Sequence, residues 1–224
     1  MKIKTDQIIR THRKSIALII QADGNLVIRA PMSVSHARIQ QFVDSKIDWI
    51  HTQQGRNRDR QPIFHEYIEG EVFYYLGKSY PLKLVDRQSK PLILKDYFSL
   101  RRAEPPEIEK TFLKWYRQQG RNLFTERVDH FAHKYSYNYG KIRLSSARTR
   151  WGSCSSKGTL SFTWRLILAP PEIIDYVILH ELVHLEIQNH SAAFWNKVQC
   201  YLPDYKKRRL WLKEQAFQLT LNGK

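Results

Sequence analysis

His180-Glu181-Leu182-Val183-His184-Leu185-Glu186-Ile187-Gln188-Asn189-His190 is the stretch on which the reading of this chain turns. In an α-helix, residues four apart lie about 40° apart around the axis and ~6 Å along it, so the imidazoles of His180 and His184 can reach one metal ion. Glu181 is rotated by about 100° from His180, so its carboxylate can stand beside the ion without ligating it and take a proton from water. A zinc ion with three protein ligands keeps a fourth position for water and lowers that water's pKa to about 7, which makes a hydrolytic site. Two histidines on a helix face are ordinarily surface or core residues. The full H-E-x-x-H pattern within a helical period is what sets this pair apart.

Three answers compete for the third ligand. His190 follows His184 by the spacing found in metzincins, but their turn-making glycine is replaced by Ile187. Both methionines, Met1 and Met32, precede the motif, which rules out a later Met-turn. A thermolysin-like site would take a glutamate from a downstream helix, with Glu214 the main candidate. A closed structural site of three histidines and Cys154 would leave Glu181 without a role. We favour His190: a helix ending near Gln188, with Asn189 in the left-handed conformation, would turn the chain and bring His190 back toward the metal.

Working outward, Ala169-Pro170-Pro171 stops a preceding strand and opens the motif helix, whose apolar positions include Ile173, Val177, Leu182 and Leu185. Upstream, Lys141–Ser145 and Thr159–Trp164 read as strands joined in a hairpin through residues 147–155. A long helix is expected from Pro105-Pro106 to about Tyr137. Downstream, Ser191–Leu202 and Asp204–Leu221 read as two more helices. The N-terminal part reads as sheet with one inserted helix. A hairpin is expected from Ser15–Gln21 and Leu26–Ala30 around Asp23-Gly24-Asn25, then a helix over residues 33–54 with Ser35 as N-cap. A loop over 55–62, a second hairpin around Gly77-Lys78 and strands near 92–95 and 97–100 follow. The expectation is an α+β, zincin-like metallohydrolase: a β-rich region over 1–103 and a helical catalytic domain over 104–224.

The 224 residues carry 37 Lys+Arg against 21 Asp+Glu, a formal charge of +16, and 42% are hydrophobic. This composition excludes a mainly disordered or collagenous chain. Two cysteines are too few for a secreted disulfide framework. The run Ile16–Ile20 is far short of the ~20 residues a membrane helix needs. We therefore expect a soluble, cytoplasmic protein with no membrane partner, whose basic excess permits anionic partners without selecting one.

One segment resembles a known family. Arg150-Trp151-Gly152-Ser153-Cys154-Ser155, then Leu160-x-Phe162-x-Trp164-Arg165-Leu166, Ala169-Pro170, Ile174-Asp175-Tyr176-Val177, the H-E-x-x-H motif and Asn189-His190-Ser191-x-x-Phe194-Trp195 closely resemble the YgjP-like metallopeptidase family, related to the SprT-like and WLM zinc peptidases. The resemblance implies a zincin-type domain with His180, His184 and His190 as metal ligands, Glu181 as general base and Zn²⁺ as cofactor. A nucleoside-triphosphate pyrophosphohydrolase label also occurs in the family, and Mg²⁺ or Mn²⁺ would then accompany or replace zinc.

Arg148, Arg150 and Arg165 flank the expected hairpin and can clamp a phosphate or a peptide carboxylate. Their plainer role is to pair with Asp175 or another local acid. Lys206-Lys207-Arg208-Arg209 opens the last helix; consecutive residues spread around the axis, so this reads as a solvated helix start. Three functions follow: zinc metallopeptidase; cleavage of a nucleoside triphosphate to monophosphate and pyrophosphate; and a nucleic-acid-binding module with an incidental metal site, for which no binding motif is present.

Overall fold

A computed structural model describes residues 7–21, 24–58, 64–103 and 105–221. Backbone contacts divide the chain into two compact units, Met1–Gln61 and Pro62–Lys224. No helix among the described residues is long and apolar enough to cross a membrane.

The described residues of the first unit form a three-stranded sheet with two helices. Strands β1 (Gln7–Thr11), β2 (Ala17–Ile20) and β3 (Leu26–Pro31) lie in the order β1-β3-β2, with β3 parallel to β1 and antiparallel to β2. The expected hairpin is β2–β3; Asp23 lies outside the described residues, and Gly24 takes a positive φ of 85° that suits glycine. Helix α1 (His36–Asp44) begins where expected, the Ser35 hydroxyl accepting the Arg38 N–H at 3.3 Å. The single helix expected over 33–54 is instead two, α1 and α2 (Ile47–Arg58). Ser45 marks the break, its hydroxyl donating to the Phe42 carbonyl at 2.8 Å. Resetting the helix there brings Ile50 into the same core as Ile39 and Val43, against alternate residues Leu26, Ile28 and Ala30 of β3. Helix α2 also takes in Gly55–Arg58, expected as loop; the rest of that loop lies outside the described residues.

Among its described residues, the second unit contains two sheets and four α-helices. Strands β4 (Val72–Tyr75), β5 (Lys78–Val85), β6 (Leu92–Leu94) and β7 (Phe98–Arg101) form a sheet in the order β4-β5-β7-β6. Leu76 and Gly77 turn β4 into β5 with positive φ at both, as a tight hairpin turn requires. Their N–H groups donate to the carbonyls of Ile167 and Leu168, each at 3.0 Å. A Cβ at Gly77 would stand 2.7 Å from Pro170 Cγ, so this turn sits directly against the start of the motif helix.

Helix α3 (Pro105–Tyr135) runs 31 residues. It is followed by β8 (Lys141–Ser145), β9 (Gly152–Cys154) and β10 (Thr159–Thr163), then a 3₁₀ turn over Trp164–Leu168 and helices α4 (Pro171–Val183), α5 (Ala192–Tyr201) and α6 (Tyr205–Gln215). The expected hairpin between Lys141–Ser145 and Thr159–Trp164 is not formed. β8 and β10 are parallel, and β9, from within their connection, is the antiparallel partner of β10 at the sheet edge. Alternation marks a strand but not its direction or neighbour.

Nearly every side chain of α4 after its first turn is buried, as a helix apolar on all sides must be. The Arg127 guanidinium of α3 holds Asp175 of α4 in a two-point contact, Nε to Oδ1 at 2.7 Å and Nη2 to Oδ2. The acid expected to pair with Arg148, Arg150 or Arg165 is therefore already taken, by an arginine from the long helix.

Candidate metal centre

Within the second unit, three imidazoles converge. Nε2 of His190 lies 3.0 Å from Nε2 of His180 and 3.2 Å from Nε2 of His184. Three nitrogens each about 2.05 Å from one tetrahedral ion would stand about 3.3 Å apart, so the spacing fits a single bound cation. Among the described residues, this is the one cluster of three or more His, Cys, Asp or Glu side chains able to hold a metal, and exposed Glu214 is outside it. Cys154 is also outside; its thiol donates to the Ser155 carbonyl at 3.5 Å.

The tautomer of His184 suits ligation. His184 Nδ1 lies 3.0 Å from the Ile187 carbonyl, and since a carbonyl only accepts, the proton sits on Nδ1 and the Nε2 lone pair faces inward. Burial, followed by the charges of His184, His190 and Arg209, lowers the pKa of His180 to about 3, keeping it neutral. Burial, followed by the charges of His184 and Arg209, lowers His190 too. Three imidazole nitrogens brought this close together are an arrangement that a cation stabilises.

The chain reaches this geometry by a route other than the expected one. α4 ends at Val183, not near Gln188, with His184 as its C-cap. The turn continues through the N–H groups of Glu186 and Ile187, both donating to Val183, while Asn189 keeps a negative φ. Its side chain instead accepts the Ser191 N–H at 3.2 Å, a local turn that leads into α5. Phe194, fully buried on α5, lies 4.5–4.9 Å, centroid to centroid, from all three imidazoles and forms the floor beneath them. Trp195 stacks on His190 at 5.5 Å.

Glu181 is 6% exposed, the one buried carboxylate among the described residues. Burial pushes its carboxyl up to about 8, with Arg150 pulling the other way; a dication held by the imidazoles would pull it further down. Edge strand β9 packs against it so tightly that a Cβ at Gly152 would stand 2.5 Å from Glu181 Oε1 and 2.6 Å from its Cγ. Only glycine fits.

His180, Glu181, Tyr176 and Gly152 border a pocket of about 350 Å³, with Arg150, Arg209 and Lys213 on its walls. Burial lifts the Tyr176 phenol to about 12, so it stays protonated in this pocket. Of the three arginines singled out in the sequence, only Arg150 reaches this pocket. Arg165 donates to the Ala147 carbonyl at 2.9 Å and lies over the Trp151 ring, and with Arg148 it lines a separate pocket of about 200 Å³. Arg209 was missed because it belongs to a helix start that reads as solvated, and Lys213, in the last turn of the same helix, drew no notice. Their four-residue spacing and the nearby tryptophan, Trp211, were the available signal.

No curated protein matches the chain significantly. Among solved structures it is similar to the metallopeptidase zymogen abylysin of Pyrococcus abyssi, with 24% identity over 41% of this chain and 95% of that one and a TM-score of 0.37. It is similar also to the metallopeptidase zymogen jannalysin of Methanocaldococcus jannaschii, with 22% identity over 42% of this chain and 96% of that one and a TM-score of 0.38. The family described as YgjP-like, metallopeptidase domain, matches residues 14–215, nearly the whole length, and the chain belongs to it.

Proposed function

We propose that the chain is a zinc peptidase of the zincin type, with the catalytic site carried by residues 104–224, His180, His184 and His190 as metal ligands and Glu181 as general base. The observation that carries this reading is the convergence of three imidazole Nε2 atoms, 3.0 and 3.2 Å apart along the two contacts of His190, beside a buried carboxylate in the next helical position. Three imidazoles favour zinc over Mg²⁺ or Mn²⁺ on ligand softness. Bound there, the ion supplies Lewis acidity toward a substrate carbonyl and acidifies water.

The protein's own groups do the rest. Glu181 accepts a proton on its carboxylate from the attacking water and returns it to the leaving amine, a role suited to a carboxyl whose burial raises its proton affinity. Gly152 lets β9 close over that carboxylate without displacing it. The side of β9 that no described strand pairs with gives an extended peptide backbone a strand to pair with. Both cysteines are free thiols, which fits a reducing, cytoplasmic setting.

The test is metal analysis together with proteolysis of unfolded-protein and peptide libraries. Glu181→Gln should retain one equivalent of zinc and lose about 10²–10⁴ in turnover. His184→Ala should lose both metal and turnover. Wild-type hydrolysis by the glutamine variant would remove Glu181 from the mechanism.

A further inference from the structure

The pocket in front of His180 and Glu181 carries a set of charges that proton transfer and metal binding do not require. Arg150 reaches it from the loop before β9, while Arg209 and Lys213 reach it from α6. The two α6 residues are four apart and so share a helix face. Glu181 is the single acid among the described lining residues.

These arginines differ from others in the molecule. Arg127 is committed to Asp175, and Arg208, adjacent to Arg209, is committed to Asp204 at 3.0 Å. Among the described residues, neither Arg150 nor Arg209 makes a direct ion pair with a carboxylate, although the Arg150 charge acts on Glu181 across the pocket. Arg209 is nevertheless held in place: its guanidinium lies 4.7 Å from the centre of the Trp195 ring, which stacks in turn on His190. A guanidinium stacked on an indole face keeps its in-plane N–H donors for an anion. At about 350 Å³ the space is at the lower end of the ~300–1,000 Å³ typical of small-ligand sites.

We propose, building on the peptidase reading above, that Arg150, Arg209 and Lys213 form a carboxylate-binding subsite, so that preferred substrates carry an anionic group in the residue adjoining the scissile bond. The carboxylate comes either from an Asp or Glu side chain or from a free peptide C-terminus. Both present two acceptor oxygens that match the guanidinium fork.

The full-length, zinc-loaded protein is offered peptides on one scaffold with Glu or Gln placed in turn on each side of the cleaved bond, each made as the free acid and as the C-terminal amide. Glu should exceed Gln, or acid exceed amide, by about ten-fold or more in kcat/KM, the size of a charge-assisted hydrogen bond, and the position identifies the source. Arg209→Gln and Lys213→Gln should each shrink that ratio, and Arg209→Lys, which keeps the charge but loses the planar fork and its stacking on Trp195, should restore only part of it. Because the ratio is taken within one variant, a general loss of fold or metal does not imitate the effect. Equilibrium binding of the same peptides to zinc-loaded Glu181→Gln should show the same preference without turnover.

Equal cleavage of Glu and Gln peptides and of acids and amides overturns the anionic subsite and leaves the peptidase reading in place. A preference that survives in the combined Arg150→Gln, Arg209→Gln, Lys213→Gln protein overturns the assignment of these residues. Failure to cleave any peptide, with hydrolysis of nucleoside triphosphates instead, overturns both readings.

Discussion

Gly152→Ala adds one methyl group, and the structure determines where it must go. The new carbon would stand 2.5 Å from Glu181 Oε1, 2.6 Å from Cγ and 2.8 Å from Cδ, where ordinary contact begins at 3.4 Å. The overlap is about 0.9 Å at its worst and involves three atoms of one buried side chain, so rotating the carboxylate tip does not relieve it. Either Glu181 moves by on the order of an ångström or β9 lifts from α4. The first outcome misplaces the carboxylate proposed as general base, and displacement of that size costs about 10²-fold in rate. Overpacking a site of this kind costs about 1–3 kcal/mol in stability. The decisive assay is a double-mutant cycle in urea unfolding with Glu181→Ala, which removes all three clashing atoms. Gly152→Ala should be costly alone and nearly free in the Glu181→Ala background, a coupling of about 1–3 kcal/mol. Effects of the glycine substitution on the unfolded chain cancel in the cycle. Additive stabilities together with a wild-type kcat/KM for Gly152→Ala would refute the reasoning.

Two further outcomes are expected. At a free zinc concentration of 100 times Kd, binding should stabilise the unit by about 2.7 kcal/mol, so chelation should lower its melting temperature by about 5–10 °C, and His184→Ala should show no such shift; a chelator-insensitive wild type in calorimetry would count against the site. Arg127→Ala should cost about 1–2 kcal/mol in urea unfolding, because it leaves the carboxylate of Asp175 without its two-point partner between α3 and α4; a loss below a few tenths would show that the pair is not an anchor.

The candidate site was legible to different depths. His180 and Glu181 lie within one helix and His184 caps its end with helical backbone angles, so a fixed rise and twist convert spacing into geometry. His190 was expected to return to the other two through a left-handed Asn189. It does return, but α4 stops at Val183 and Asn189 acts through its side chain. The direction of a turn was readable while its hydrogen bonds were not, since several local bonding patterns reverse a chain over the same few residues. The break between α1 and α2 was missed for a related reason: Ile39, Val43, Ile47 and Ile50 keep a helical period across it, and Ser45 interrupts the backbone without interrupting the pattern. The fates of Arg148, Arg150 and Arg165 separated only in the fold, where one faces the pocket and the other two share another cavity.

From sequence alone came the α+β class, the strand and helix content on either side of the motif, and the chemistry of two imidazoles and a carboxylate on one helix. These follow from periodicity and local geometry, which act over a few residues. Tertiary structure decided everything that joins distant segments: β8 and β10 as parallel partners, Asp175 held by Arg127, Gly152 pressed against Glu181, and Arg209 and Lys213 brought to the pocket wall. Those contacts link residues far apart in the chain, and they arise from burying a shared apolar core. No local pattern encodes which surfaces that burial brings together.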